Sequence, residues 1–465
     1  MNKNVYEFFR REEEYPDLDV SGAAARLSSA IKCRTINYSD KTKTDFGEFD
    51  KLHELMKKSF PNLMKAASFE EIGHSVLITL KGTDPSLRPC LYMAHQDVVP
   101  VVKGTESQWK HGAFDGDIED GIIWGRGTLD VKDQMFGEME AAEYLLAHGK
   151  TFRRTAYFAY GEDEETLNTG ARAVAEELKR RGVTLEFVLD EGGGKIEPGT
   201  QYGAEDVYIT SIVLMEKGYA DLKVTVHGNG GHSARPFGGT SLGHLSCAVA
   251  DIVRSPFPVK LPTPLIGAYE ALAPYIKEEP LRSYVQDVRG NADKIAAWCS
   301  ERKSMFPFVM TTVAPTMIEG GSSAPNVLPA DMYAVLNIRA NQGETASSVL
   351  EHCRNAVTEK NVEFEYLQEG EASQVARSDG YGYAALKEAL EYYYKDVVVI
   401  PSLMVAGADA HNYEIVCDTC LRCVPFMTEP EDFLTGVHGV NEHLSVRAYA
   451  QGIRLLIHLM EKANL

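Results

Sequence analysis

The first half of the chain alternates short apolar runs with longer amphipathic ones, and this alternation constrains the fold more than any other feature. Ser75 to Lys81, Pro89 to His95, Arg154 to Tyr160, Phe187 to Asp190 and Val207 to Met215 are short runs that read as strands. Between them, Glu138 to His148 reads as a helix ended by Gly149. Thr169 to Arg181 reads as a second helix, with basic closing residues and Gly182 as its stop. Strands and helices alternating at this spacing predict an α/β domain with helices on both faces of its sheet.

After Met215 the pattern changes. Ala220 to His227 alternates apolar and polar residues, as a strand with one solvated face does. A helix is predicted over Ser241 to Arg254 and strands near Thr311 to Ile318 and Asp331 to Arg339. A helix over Thr345 to Val357 and a strand over Val362 to Leu367 follow. This βαββαβ order describes a small α+β domain inserted in the first. The expected division is 1–216 and 377–465 for the larger domain and 217–376 for the insert. Residues 262–308 are Pro-bearing and partly helical, and read as an extra insertion.

The chain has 465 residues and a net charge of −20, which argues against nucleic acid and anionic membrane as partners. The opening residues, Met1 to Phe9, show no apolar run followed by a small-residue cleavage site, and no uncharged stretch is long enough to span a bilayer. A cytoplasmic protein is the expectation. Of the eight cysteines, Cys417, Cys420 and Cys423 have metal-like spacing, but the iron–sulfur pattern fails at Met427 and the segment is apolar, so they read as packing residues. The glycines after Glu191 lack the frame of a P-loop, and Gly228-Asn-Gly-Gly-His-Ser lacks the last glycine of a dinucleotide fingerprint.

Chemistry concentrates where the strands end. His95-Gln-Asp97 closes one run, and in extended backbone residues i and i+2 point the same way, so Asp97 can hold the second nitrogen of His95. A Gly-rich segment, Trp124-Gly-Arg-Gly-Thr-Leu-Asp130, carries an Asp to a helix start, where its two oxygens are free to bridge two metals. Glu162-Asp-Glu164-Glu165 follows another strand; consecutive acids repel unless a cation or helix N-terminus stabilises them. Asp190 ends a third run, and His438-Gly-Val-Asn-Glu442 lies near the C-terminus. Each piece alone is common, and a lone His438 would read as structural. Together, two histidines with carboxylates between them are a ligand set for two adjacent metal ions.

The order His-x-Asp, Gly-Arg-Gly-x-x-Asp, Asp-Glu-Glu, Asp-Glu-Gly and His-Gly-x-Asn-Glu resembles the co-catalytic zinc metallopeptidase family. That family includes carboxypeptidase S, glutamate carboxypeptidase, acetylornithine deacetylase, succinyl-diaminopimelate desuccinylase and the aminoacylases. The resemblance is strongest to the carboxypeptidase S branch. It implies a mixed-sheet catalytic domain with the insert as an α+β lid, often a dimer interface. It implies two Zn2+ ions, with Co2+ or Mn2+ as substitutes: Asp130 bridging, His95 and Asp190 on one ion, Glu165 and His438 on the other. Asp97 would orient His95, and Glu164 would be the general base. His232 would stabilise an oxyanion, and Asn326 and Arg339 would bind substrate. Many relatives carry a second Asp where this chain has Val131, and the resemblance implies a cis peptide between Asp130 and Val131. The implied reaction is hydrolysis of an amide beside a free carboxylate, in a peptide or an N-acyl amino acid. A non-catalytic binding protein on the same fold is the alternative from another class.

Overall fold

The computed structural model describes residues 3–428 and 436–465. Its largest sheet runs, in spatial order, Ser68–Ile72, Ser75–Leu80, Ala156–Gly161, Cys90–His95, Phe187–Asp190, Cys420–Arg422, Tyr208–Glu216 and Val397–Met404, with Glu197–Pro198 paired onto Tyr208–Glu216. The first two strands are antiparallel to their neighbours. Ala156–Gly161, Cys90–His95, Phe187–Asp190 and Cys420–Arg422 are mutually parallel. The sheet is therefore mixed, with a parallel centre.

Side-chain alternation divides the core between the two faces. Tyr92 and Ala94, with Phe158 and Leu189, pack under the helices Lys132–Ala147 and Val446–Asn464. Leu91 and Met93, with Tyr157, Ala159 and Val188, pack under Thr169–Arg180. Cys417 and Cys420 belong to this second layer and Cys423 to the first, so the triplet packs as the sequence reading expected, and all eight cysteines are free thiols.

The insert forms a four-stranded antiparallel sheet in the order Thr312–Gly320, Met332–Ala340, Gly218–Val226, Val362–Gln368. Helices Ser241–Arg254 and Ala346–Ala356 cover one face through Leu245, Ile252, Val349 and Cys353. Residues 262–309 fold elsewhere. Leu265, Tyr269, Leu272 and Ile295 bury against Ile209, Met215, Ile400 and Leu403, so this segment covers the edge of the large sheet.

Where the chain first passes from sheet to insert, two charged residues are buried side by side. Glu216 reaches the large body, accepting the N–H of Ala408 at 2.8 Å and lying 3.2 Å from Arg422 Nε. Lys217 donates to the carbonyls of Pro307 (2.8 Å) and Met310 (2.7 Å), and its burial pulls its pKa down to about 7. Among the described residues, no helix is long and apolar enough to cross a membrane.

Candidate metal centre

The centre sits at the carboxyl ends of the parallel strands, where open α/β sheets present ligands. His95 closes its strand in register with Gly161, which leads into the acidic turn, and Phe187–Asp190 flanks the other side. Asp97 ties the first two together. Its Oδ1 accepts the N–H of Glu164 (3.0 Å) and its Oδ2 that of Glu165 (3.2 Å). Its backbone oxygen lies 2.9 Å from His95 Nδ1 and its Oδ1 3.4 Å from the same nitrogen. The imidazole is thereby fixed with Nε2 facing the site, as a metal-binding His requires.

Asp130 stands between the two histidines. Its Oδ1 is 3.0 Å from His95 Nε2, and its Oδ2 is 2.9 Å from His438 Nε2. His438 Nε2 is also 3.0 Å from Glu165 Oε1. The peptide bond from Asp130 to Val131 is cis, as the resemblance implied. Donor atoms of His95, Asp130 and Glu165 lie within 4.8 Å of one another, and so do those of His95, Glu164 and Glu191.

Burial first, then the surrounding acids, pushes the carboxyl of Glu164 well above the ordinary range, against the pull of His95. Burial also raises Glu165 and Glu191. Burial works against ionised Asp130 too, but hydrogen bonds and charge from His438 and His95 outweigh it and hold the carboxyl well below the usual range. Hydrogen bonds to Asp130 and Glu165 push His438 up to about 10. Such a concentration of acids calls for positive charge. Imidazole nitrogens with carboxylate oxygens, one carboxylate offering an oxygen to each side, fit divalent cations.

Asp190 is placed differently from its neighbour. Buried at the strand end, it accepts the N–H of Ala410 at 2.7 Å through Oδ2, and its carboxyl is raised by that burial. Glu191, which sequence reasoning passed over, brings Oε1 to 3.4 Å from His95 Nε2. Successive residues of a strand face opposite sides, so an acid pair at a strand end offers one member to the site whichever way the strand sits. Glycines 192 to 194, all at positive φ, then turn the chain away.

Glu442 was also passed over. It is fully buried, and its Oε1 accepts the N–H groups of Gly127 (2.9 Å) and Leu129 (2.8 Å) in the loop that delivers Asp130. Its spacing of four residues from His438 was the available signal. On the insert, His232 and Asn326 meet on a short ribbon. Gly231–His232 pairs with Val327–Leu328, and Ser233 donates its N–H to the Asn326 carbonyl at 3.0 Å. Both residues are exposed. Arg339 lies over the Tyr219 ring, 4.5 Å from its centroid, and its Nη1 is 3.5 Å from the carbonyl of Val405 on the large body.

Residues 91–462 match the peptidase family M20/M25/M40. The chain belongs to this family. It is 31% identical to an N-fatty-acyl-amino acid synthase/hydrolase of Homo sapiens, over 94% of this chain and 87% of that one. It is 30% identical to a probable carboxypeptidase S-like protein of Dictyostelium discoideum, over 95% and 85%. Carboxypeptidase S of Saccharomyces cerevisiae matches at 29% identity over 94% and 83%. Among solved structures, an M20 family metallo-carboxypeptidase from Sulfolobus solfataricus superposes with a TM-score of 0.67 at 17% identity, covering 95% of this chain and 99% of that one. Human carnosine dipeptidase 1 gives 0.65 at 17% identity, covering 100% and 99%. These two likenesses establish the shared fold.

Proposed function

We propose that this M20 family chain is a two-zinc hydrolase of amide bonds adjacent to a free carboxylate, acting as a carboxypeptidase or dipeptidase. The observation that carries the reading is Asp130, with one oxygen toward His95 and the other toward His438, beside the half-buried Glu164. His95 with Asp190 or the adjacent Glu191 would hold one ion, His438 and Glu165 the other, and Asp130 both. Co2+ or Mn2+ would substitute for Zn2+. When bound, the ions would supply a water of lowered pKa and polarise the scissile carbonyl.

The protein's own groups do the rest. Glu164 takes a proton from the attacking water and delivers it to the leaving amine nitrogen. Asp97 keeps His95 and the acidic turn in place while that proton moves. The lid brings His232 to the carbonyl oxygen as it gains charge, and Arg339 and Asn326 to the substrate, whose free carboxylate suits the Arg fork. Glu164→Gln should keep both metals and lose most turnover, about 100-fold or more; near-normal turnover in that variant would sink the mechanism.

A second reading, N-acyl amino acid hydrolysis, is supported by the human relative matched over nearly the whole chain. Both reactions use the same site. A panel of dipeptides, blocked dipeptides and N-acyl amino acids, read by the amino acid released, separates them. The free thiols and the acidic charge support a reducing, cytoplasmic setting without nucleic acid or membrane as partner. The exposed edge strand Thr312–Gly320 supports a homodimer through the lid.

A further inference from the structure

Two loops far apart in sequence deliver Asp130 and His438, and they are joined through a buried pair of charged side chains, Glu442 and Arg126. Glu442 Oε1 accepts the N–H groups of Gly127 and Leu129, and its Oε2 lies 2.5 Å from Arg126 Nη1. Arg126 returns across the gap, donating through Nη2 to the carbonyl of Gly439 at 3.0 Å. The Gly125 N–H donates to the Glu442 carbonyl at 2.9 Å. Strand His443–Ser445 continues the seam by pairing with Ile122–Trp124. Both charged side chains are buried, at 2% and 0% exposure, so solvent does not compete for these bonds.

We infer that Glu442 and Arg126 are positioning residues that set the distance between Asp130 and His438, and thereby the affinity of the metal held by His438 and Glu165. The inference rests on the two-metal reading above. His95 does not depend on the seam: it ends a central strand and is fixed by Asp97. Slackening the seam therefore displaces two of the three donors proposed for the His438 ion, namely Asp130 and His438. It displaces only Asp130 on the His95 side. The loss is expected to be unequal, which a general weakening of the fold does not produce.

The test titrates Zn2+ calorimetrically into the metal-stripped full chain, as wild type, Glu442→Gln and Arg126→Lys, with thermal unfolding of each stripped protein. Wild type should take up two zincs. Glu442→Gln should keep one tight zinc and bind the second about 10–100-fold more weakly. Arg126→Lys keeps the Glu442 contacts to Gly127 and Leu129 but loses the reach to Gly439, and should show a smaller loss at the same ion; it decides the matter where Glu442→Gln does not fold. Two unchanged zinc sites in both variants would overturn the inference, as would equal weakening of both sites with a lowered melting temperature of the stripped protein. A wild type that binds fewer than two zincs overturns the two-metal reading itself, and the seam's role with it.

Discussion

At the scale of single residues, the centre is a competition between protons and metal. His438 is held at about 10, above its ordinary 6.5, because Asp130 and Glu165 favour the imidazolium. In the stripped protein this pairing stabilises the fold fully below about pH 6.5 and is lost as pH rises through about 10. Zinc needs the neutral ring, so each bound ion must displace such protons. Zinc affinity should therefore rise with pH from about 6.5 toward 10, with protons released on binding. Titrations in buffers of different ionisation enthalpy measure that release directly. An affinity flat across this range would show that the imidazoles are already neutral in the stripped protein. The same residues explain what a sequence can and cannot disclose about such a centre. His95, Asp97, Asp130 and Glu165 were legible as candidates because each stands at or shortly after a strand end, or just before a helix start. The facing of Asp190 and Glu191 was not, since it depends on the phase of a short strand buried on both sides. Glu442 was hidden for another reason: its partners lie more than 300 positions away.

At the scale of elements, the strands named from the sequence and the lid helices lie within a few residues of their predicted bounds, whereas Ser68–Ile72 and Val397–Met404 of the large sheet were not predicted and the helix after Asp130 was placed too late. It begins at Lys132, not Glu138. Its first turns are buried all round, including Asp133, Gln134 and Glu138, so no polar face marks the helical period. Strand order across the large sheet was not legible either, because it is set by pairings between distant segments. The segment 262–309 shows the same limit. Lying between lid elements in sequence, it packs on Tyr208–Glu216 and Val397–Met404 of the large sheet. Leu265 is fully buried there against that surface. Leu265→Ala should destabilise the chain by about 2–5 kcal/mol, from lost transfer energy and the cavity left behind. Urea unfolding followed by tryptophan fluorescence measures this. Zinc uptake should stay unchanged, since the metal donors lie on the strand ends and their loops. A loss below about 0.5 kcal/mol would mean that the segment is not anchored on the sheet.

At the scale of the whole molecule, the candidate metal donors and the proposed substrate-binding residues lie in different parts of the fold. The candidate metal donors gather at the strand ends of the large sheet, whereas His232 and Asn326 stand exposed on the ribbon of the insert. The insert also presents an edge: among the described residues Thr312–Gly320 is paired on one side only, and Met317 and Ile318 are 52% and 59% exposed. Edge strands with apolar residues on both faces invite pairing with another chain. A second copy of the lid would cover that edge and fix the ribbon carrying His232. Ile318→Lys combined with Met317→Lys should therefore convert a dimer to a monomer in sedimentation velocity, leaving zinc uptake intact. If His232 reaches the site only in the assembled dimer, the monomer should also lose about 100–1,000-fold in turnover, the cost of removing one oxyanion donor. His232→Ala in the dimer should then lose a similar factor, and adding it to the monomeric variant should cost nothing more, because the donor is already out of reach. A monomer with full turnover would instead place His232 over its own strand ends.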